Sequence, residues 1–357
     1  MIDLSTPQPR RHPAPTVKAQ RLAYLIWERP DLQKAKQFLQ TFGLHVLQES
    51  SEVIYFRGTA EAPFCYVVRE AQKEKFVGFG LEVASMQDLE QLATLPEASA
   101  ISELKTPGGG HAVSLTDPSG FIVHAVYGQK GAEELASREV MTKNTPMDTP
   151  RINATQRVPV EAPEVIKLGH VVLELAEFQA TCGWYTNHFG LIPSDVQVLP
   201  DGSPAVAFMR LDLGDKPADH HTIAFAQSLG ADFSHCAFEL LDEDAVGMGQ
   251  RVLREQKFKH AWGIGRHILG SQIFDYWNDP FGCTHEHYCD GDVFTSEVPL
   301  GVHAVHKEAM AQWGAPMPAD FVRPKLTFLT AVKAVSNLRT SPDLSIKKAI
   351  MLAKAML

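Results

Sequence analysis

No stretch of this 357-residue chain approaches the roughly 20 consecutive apolar residues of a membrane-spanning helix, so no helical span is expected. The opening, MIDLSTPQPRRHPAP, has no apolar signal core, which points to a cytoplasmic protein. Cysteine is scarce. Cys65, Cys182, Cys236, Cys283 and Cys289 are odd in number, scattered, and contain no Cys-x-x-Cys pair, so reduced thiols are expected rather than a disulfide framework. Positive charge is in deficit too: 33 Lys and Arg against 42 Asp and Glu give a net charge of −9. Nucleic acid is therefore not the expected partner, because phosphate binding rests on clustered basic side chains. What remains, 45% hydrophobic and 21% charged, is ordinary for a globular enzyme or binding protein with enough length for two domains.

An internal repeat organises the chain. RLAYLIWERPDLQKAKQFLQTFGL (21–44) can be laid on KLGHVVLELAEFQATCGWYTNHFGL (167–191), each reading as strand, helix, then Phe-Gly-Leu. The helices follow from the spacing of Leu32, Ala35, Phe38 and Phe42, and of Phe178, Cys182, Tyr185 and Phe189. FVGFGLEVASMQDLEQL (76–92) matches FSHCAFELLDEDAVGMG (233–249), and DPSGFIVHAVYG (117–128) matches DPFGCTHEHYCDG (279–291). The expected fold is α+β, with two domains each built of paired βαβββ modules. Its divisions are an N-terminal extension (1–19), a first, non-catalytic domain (20–128), a linker (129–165), a second domain (166–292) and a helical tail (293–357).

The two copies differ in their polar residues. His170 falls opposite Ala23, His235 opposite Gly78, and Glu286 opposite His124. The first copy does without the set, so these three residues are not demands of the scaffold. LGHVVLEL, FSHCAFEL and THEHY each place the polar residue in a strand-like frame, where alternation can turn it into a cavity. Two imidazoles and a carboxylate on one face of an ion suit iron(II), manganese or zinc, and leave the opposite face open for ligands. His220 and His221 precede the apolar IAF, and His267, Tyr276 and Glu286 follow in GRHILGSQIFDYWNDPFGCTHEH.

The connector 129–165 is polar and punctuated by Pro146, Pro150, Pro159 and Pro163, which reads as extended chain. Beyond 292, Pro316, Pro318 and Pro324 mark a loop. A helix with Leu326, Leu329, Val332 and Val335 follows, and another opens at Ser341-Pro342. Seven basic residues against one acid over 321–357 raise a membrane-surface role, but docking on the same chain or a sister subunit is the favoured reading.

With these motifs in hand, the second half resembles the type I extradiol ring-cleaving dioxygenases of the vicinal-oxygen-chelate superfamily, such as catechol 2,3-dioxygenases and 2,3-dihydroxybiphenyl 1,2-dioxygenases. The resemblance rests on Gly169-His170-Val171-Val172, on His221-Thr222-Ile223-Ala224-Phe225, on the strand at His235, and on the run from His267 through Tyr276 and Asp279-Pro280-x-Gly282 to Glu286. It implies that His170, His235 and Glu286 hold iron(II), with dioxygen as co-substrate. His221 would be the acid/base, while His267 and Tyr276 would hydrogen-bond a bound catecholate. The implied activity is opening of the ring beside the diol to a muconic-semialdehyde-type product, by a homo-oligomeric enzyme acting on a small catechol. Ile268, Leu269 and Gly270 depart from the polar residues of some biphenyl-type relatives, which bears on substrate subclass. The alternatives are a glyoxalase-like isomerase or thiol transferase of the same superfamily, a 4-hydroxyphenylpyruvate-dioxygenase-like enzyme, and a protein that only sequesters an aromatic ligand. Phe189, Val172, Trp184 and Trp277 are candidates for the substrate wall by proximity in sequence.

Overall fold

A computed structural model describes residues 6–321 and 328–356. Four times the chain runs strand, helix, then three strands, one of which is only two residues long in the second module. The first half gives Ala19–Arg29, helix Leu32–Thr41, His45–Glu49, Val53–Arg57 and Tyr66–Glu70, then Lys75–Val83, helix Met86–Leu92, His111–Thr116 and Ile122–Tyr127, with a two-residue strand at Ser102–Glu103. The second half gives Val165–Leu175, helix Phe178–Phe189, Ile192–Val198, Pro204–Arg210 and Ile223–Gln227. It continues with Asp232–Leu240, helix Glu243–Glu255, Lys259–Arg266, Ile273–Asn278 and Thr284–Cys289. The residues whose spacing predicted the first and third helices, Leu32, Ala35, Phe38 and Phe42, and Phe178, Cys182, Tyr185 and Phe189, are all buried.

Each half forms one curved mixed sheet with the same plan. The leading strands of its two modules lie side by side and antiparallel at the centre, Ala19–Arg29 with Lys75–Val83 and Val165–Leu175 with Asp232–Leu240. On its outer side each leading strand pairs in parallel with the last strand of its own module. That pairing needs the crossover helix each module supplies.

The halves share one hydrophobic core that includes Trp27, Phe38, Phe42 and Phe79 from the first and Tyr185, Phe225, Phe238 and Trp277 from the second. Polar contacts are buried with it. Arg29 pairs with Asp279 at 2.7 Å with both side chains nearly inaccessible, and the Tyr185 hydroxyl donates to Asp117 at 2.9 Å. The Gly43 backbone has φ +106°, and a Cβ there would lie 2.1 Å from the Pro163 carbonyl oxygen, so only glycine permits this approach of the two halves.

The segment after 292 is not simply helical, which corrects the sequence expectation. Gly301–Ala304 pairs in parallel with Ile192–Val198, and Trp313–Gly314 pairs with Lys259–Arg266, so the segment supplies both outer strands of the ten-stranded second sheet. Short strands like these carry no periodicity of their own; pairing partners far away in sequence define them. Helices Phe328–Thr340 and Ile346–Met356 follow. Pro324 and Leu326 lie outside the described residues. The last helix docks on the same chain: Met351, Leu352 and Ala355 pack on Leu199, Ala205 and Val305, and the buried Lys348 ammonium donates to Gln227 at 3.0 Å. Among the described residues no helix is long and apolar enough to cross a membrane.

Candidate metal centre

Sheet register brings the three candidate ligands together. Ala237 pairs with His170 on one side and with Glu286 on the other, and Glu286 pairs onward with Tyr276. Directly paired residues project from the same face, so His170, Ala237, Glu286 and Tyr276 form one transverse row. His235, two residues before Ala237, shares that face. Ala237, the small member of the row, leaves a gap between a histidine and a glutamate two strands apart. The flanking residues of THEHY point the other way. His285 donates from Nδ1 to the Cys283 carbonyl at 3.1 Å and accepts from the Tyr66 hydroxyl at Nε2 at 2.9 Å, and the His287 ring donates to the Phe42 carbonyl at 2.7 Å, both in the core between the halves. Burial drives these two rings to the neutral form, His285 down to about 4 and His287 to about 3.

One donor atom from each of His170, His235 and Glu286 lies within 4.8 Å of the others. His170 Nε2 and His235 Nε2 stand 3.1 and 3.5 Å from the same oxygen, Glu286 Oε2. Burial alone would raise the Glu286 carboxyl, but contacts from His170, His235 and His267 outweigh it and hold the group ionised, well below the usual carboxylate range. Burial lowers His235, keeping it a neutral donor. Glu286 Oε1 and His170 Nδ1 are buried without hydrogen-bond partners, and no Lys or Arg is paired with Glu286 among the described residues. An ionised carboxylate so enclosed calls for a cation. The donor set fits a divalent one of intermediate hardness.

Three further groups close on this point. The His221 ring centroid is 4.0 Å from that of His170, and burial, then the neighbouring His170 and His220, hold His221 well below its ordinary value and therefore neutral. His267 Nδ1 donates to the Met310 carbonyl at 2.7 Å, which leaves Nε2 to accept the Tyr276 hydroxyl proton at 2.9 Å. Burial and the adjacent Glu286 raise the Tyr276 phenol far above its ordinary range, so it stays a donor. His267 Nε2 also lies 3.6 Å from Glu286 Oε1.

Of the four candidate wall residues, Val172 alone belongs to the site, paired directly with His235. Phe189, Trp184 and Trp277 are in the hydrophobic core, Trp277 because strand alternation turns it away from the face Tyr276 uses. The wall that sequence reasoning missed comes from beyond 292. Met310, Met317 and Phe321 pack with Trp262 and Tyr276, with the Phe321 and Tyr276 rings 4.9 Å apart.

The register also corrects the alignment of the halves. Tyr24, not Ala23, occupies the position of His170, because the first sheet's row reads Tyr24, Gly80, His124. The first copy is thus not free of polar groups there: the Tyr24 hydroxyl and His124 Nδ1 are hydrogen-bonded at 3.0 Å.

Residues 167–286 match the model of the Glyoxalase/Bleomycin resistance protein/Dioxygenase superfamily. The chain is 26% identical over 320 residues to metapyrocatechase 2 of Cupriavidus necator, covering 88% of this chain and 96% of that protein. It is 26% identical over 280 residues to 3-methylcatechol 2,3-dioxygenase of Pseudomonas putida, covering 75% and 89%. Homoprotocatechuate 2,3-dioxygenase from Arthrobacter globiformis superposes with a TM-score of 0.73 at 21% identity, over 89% of this chain and 95% of that one. A Mn(II)-bound glyoxalase from Novosphingobium aromaticivorans superposes with a TM-score of 0.72 at 20% identity, over 87% and 97%. The two structural likenesses establish the fold.

Proposed function

We propose that this chain is an extradiol dioxygenase that opens a catecholic ring beside its diol, using iron(II) held by His170, His235 and Glu286. The observation that carries the reading is the buried, ionised Glu286 facing the His170 and His235 imidazoles, with no Lys or Arg paired to it among the described residues and with His221, His267 and Tyr276 gathered at the same place. The match to two relatives named for catechol cleavage, over 88% and 75% of this chain, supports it.

The chemistry that bound iron(II) supplies is joint coordination of a catecholate and dioxygen, which removes the entropic cost of a three-body encounter. The residues do the rest. His221, neutral in its buried setting, is suited to take a proton from the diol and return it when the O–O bond breaks. This favours the base role over a resting imidazolium. Tyr276 is held by His267, and His267 by the Met310 carbonyl, so the pair is oriented before substrate arrives. On binding, both would exchange this mutual hydrogen bond for bonds to the substrate oxygens. Val172, Met317 and Phe321 offer apolar surface beside these groups and exclude water from them.

On this reading 166–292 performs the reaction and 20–128 is its non-catalytic partner, with 1–19, 129–165 and 293–357 as extension, linker and tail. The five cysteines are buried and none of them forms a disulfide, which supports a reducing cytoplasm. Val332, Val335, Ile346 and Ile350 are exposed on the tail helices and are the surface we assign to self-association into a homo-oligomer.

The test is anaerobic loading with iron(II), or with manganese(II) in parallel, followed by air and a panel of substituted catechols, reading oxygen uptake together with the product spectrum. A yellow ring-fission product with stoichiometric oxygen uptake is expected. Catechol binding without oxygen uptake would leave a sequestering protein, and isomerisation of a thiol adduct without oxygen would place the chain with the glyoxalases.

A further inference from the structure

The described residues contain a buried polar chain that none of the motifs above absorbs. His221 Nδ1 lies 3.0 Å from His220 Nδ1. His220 Nε2 lies 2.6 Å from Asp195 Oδ2, and Asp195 Oδ1 lies 2.7 Å from His303 Nε2. The inner members are sealed, His220 at 1% exposure, whereas the His303 side chain is 45% exposed and forms the solvent end. Asp195 lies on Ile192–Val198 and His303 on the outer strand Gly301–Ala304, so the segment after 292 completes the chain.

We infer that Asp195 and His220 are positioning residues that fix the tautomer of His221, with His303 anchoring the outer side of Asp195. With one proton on each ring, the order is forced. An ionised carboxylate only accepts, so His220 must donate from Nε2, and its Nδ1 is then bare. The hydrogen bond between the two rings must be donated by His221 Nδ1, which leaves His221 Nε2 without a proton, the form a base requires. The logic is that of any carboxylate that orients an imidazole through a hydrogen bond to its remote nitrogen.

The surroundings hold each member in place. Gly301 pairs with Asp195 across the sheet, and a Cβ at Gly301 would come within 1.9 Å of Asp195 Oδ1. Glycine at that position keeps the carboxylate where both histidines reach it. The Ser194 hydroxyl donates to the His220 carbonyl at 2.6 Å and itself accepts from Arg210 at 2.9 Å. Phe208 and Phe294 flank the His220 ring, with centroids 5.5 Å away in each case. Hydrogen bonds from His220 and then His303 outweigh the burial that would raise Asp195 and hold it below its ordinary value, so it remains an acceptor.

The catalytic consequence rests on the proposed ring cleavage; the tautomer itself does not. Full-length protein labelled with ¹⁵N-histidine and loaded with zinc, a diamagnetic ion for the same ligand types, reads the tautomer directly. Wild type is expected to show His221 with a protonated, pyrrole-like Nδ1 and a bare, pyridine-like Nε2. His220→Phe keeps the ring shape, and Asp195→Leu keeps most of the volume; each is expected to give a mixed or reversed His221 pattern with metal content unchanged. In the iron-loaded variants kcat should fall by about tenfold or more with KM within about threefold, the pattern of a lost general base rather than lost binding. His303→Gln retains an N–H donor for Asp195 and should leave both readouts near wild type.

A protonated Nε2 in wild-type His221 would overturn the inference, as would variants that lose turnover with the wild-type tautomer pattern intact. If the tautomers behave as stated while no catechol supports oxygen uptake, the positioning chain stands and the dioxygenase reading fails.

Discussion

The same three positions of the same sheet plan are filled in opposite ways in the two halves. In the first, Tyr24 lies against Gly80, where an added Cβ would sit 2.8 Å from the tyrosine ring, and its hydroxyl reaches His124 across the space the glycine vacates. In the second, His170 and Glu286 stand either side of Ala237 and meet over it, His170 Nε2 lying 3.1 Å from Glu286 Oε2, with His235 Nε2 3.5 Å from the same oxygen. One row pairs a neutral phenol with a single imidazole; the other gathers a carboxylate and two imidazoles, a donor set that suits a divalent ion. The third ligand position differs too. Gly78 stands where His235 does, with φ +156° and only 1.8 Å from a would-be Cβ to the Ile122 carbonyl oxygen, so the first half has no room for a side chain there. The scaffold therefore tolerates a site without requiring one.

The comparison breaks most visibly at Glu286. Glu286→Ala should abolish metal loading, and with it turnover by about a thousandfold or more. His221→Ala should keep the metal and still lose about a hundredfold or more of turnover as its acid/base. Metal analysis beside oxygen uptake separates the two, and a fully loaded, fully active Glu286 variant would contradict the ligand assignment. Filling the open row is a subtler perturbation. Ala237→Leu should cost about 1–3 kcal/mol of stability through overpacking and should exclude the ion from an otherwise folded protein. Normal metal content in that variant would show that the gap at Ala237 is not what admits it.

The matching change in the first half, His124→Phe, leaves the buried Tyr24 hydroxyl unpartnered at a cost of about 1–3 kcal/mol, with metal content and turnover unaltered. It should also change the acid response. Burial lowers His124 to about 4, so between pH 6.5 and 4 the unfolded chain binds a proton there that the folded one does not. Its contribution to stability is present near neutrality and lost as pH falls through that window. Removing the ring should flatten the wild-type slope by up to about 1.4 kcal/mol per pH unit. Denaturant unfolding from pH 7 to 4 measures it, and an unchanged slope would sink the assignment.

The repeat and the three ligand frames were legible because each is local: a helix period, an alternating strand, a polar residue in an apolar run. The alignment went wrong by one residue at Ala23, and a slip of one matters in a sheet because it exchanges the two faces. Tyr24 is then hidden from view as the counterpart of His170. Trp277 was misplaced as a wall residue for the same reason, since Tyr276 beside it takes the inward face. Asp195, His303 and the Met310 carbonyl carried no local signal at all. They are brought to His220 and His267 by strand pairings and chain returns spanning between 25 and 108 residues, which no window of sequence displays.

That the outer strands of the catalytic sheet come from residues 301–304 and 313–314 has a consequence for how the protein is made. A chain emerging from the ribosome presents all three candidate ligands before the brace for His267 or the outer anchor of Asp195 has been synthesised. A nascent chain halted near residue 292 would lack the Met310 carbonyl and His303, so on the proposed reading competence for chemistry arrives with the final stretch of translation.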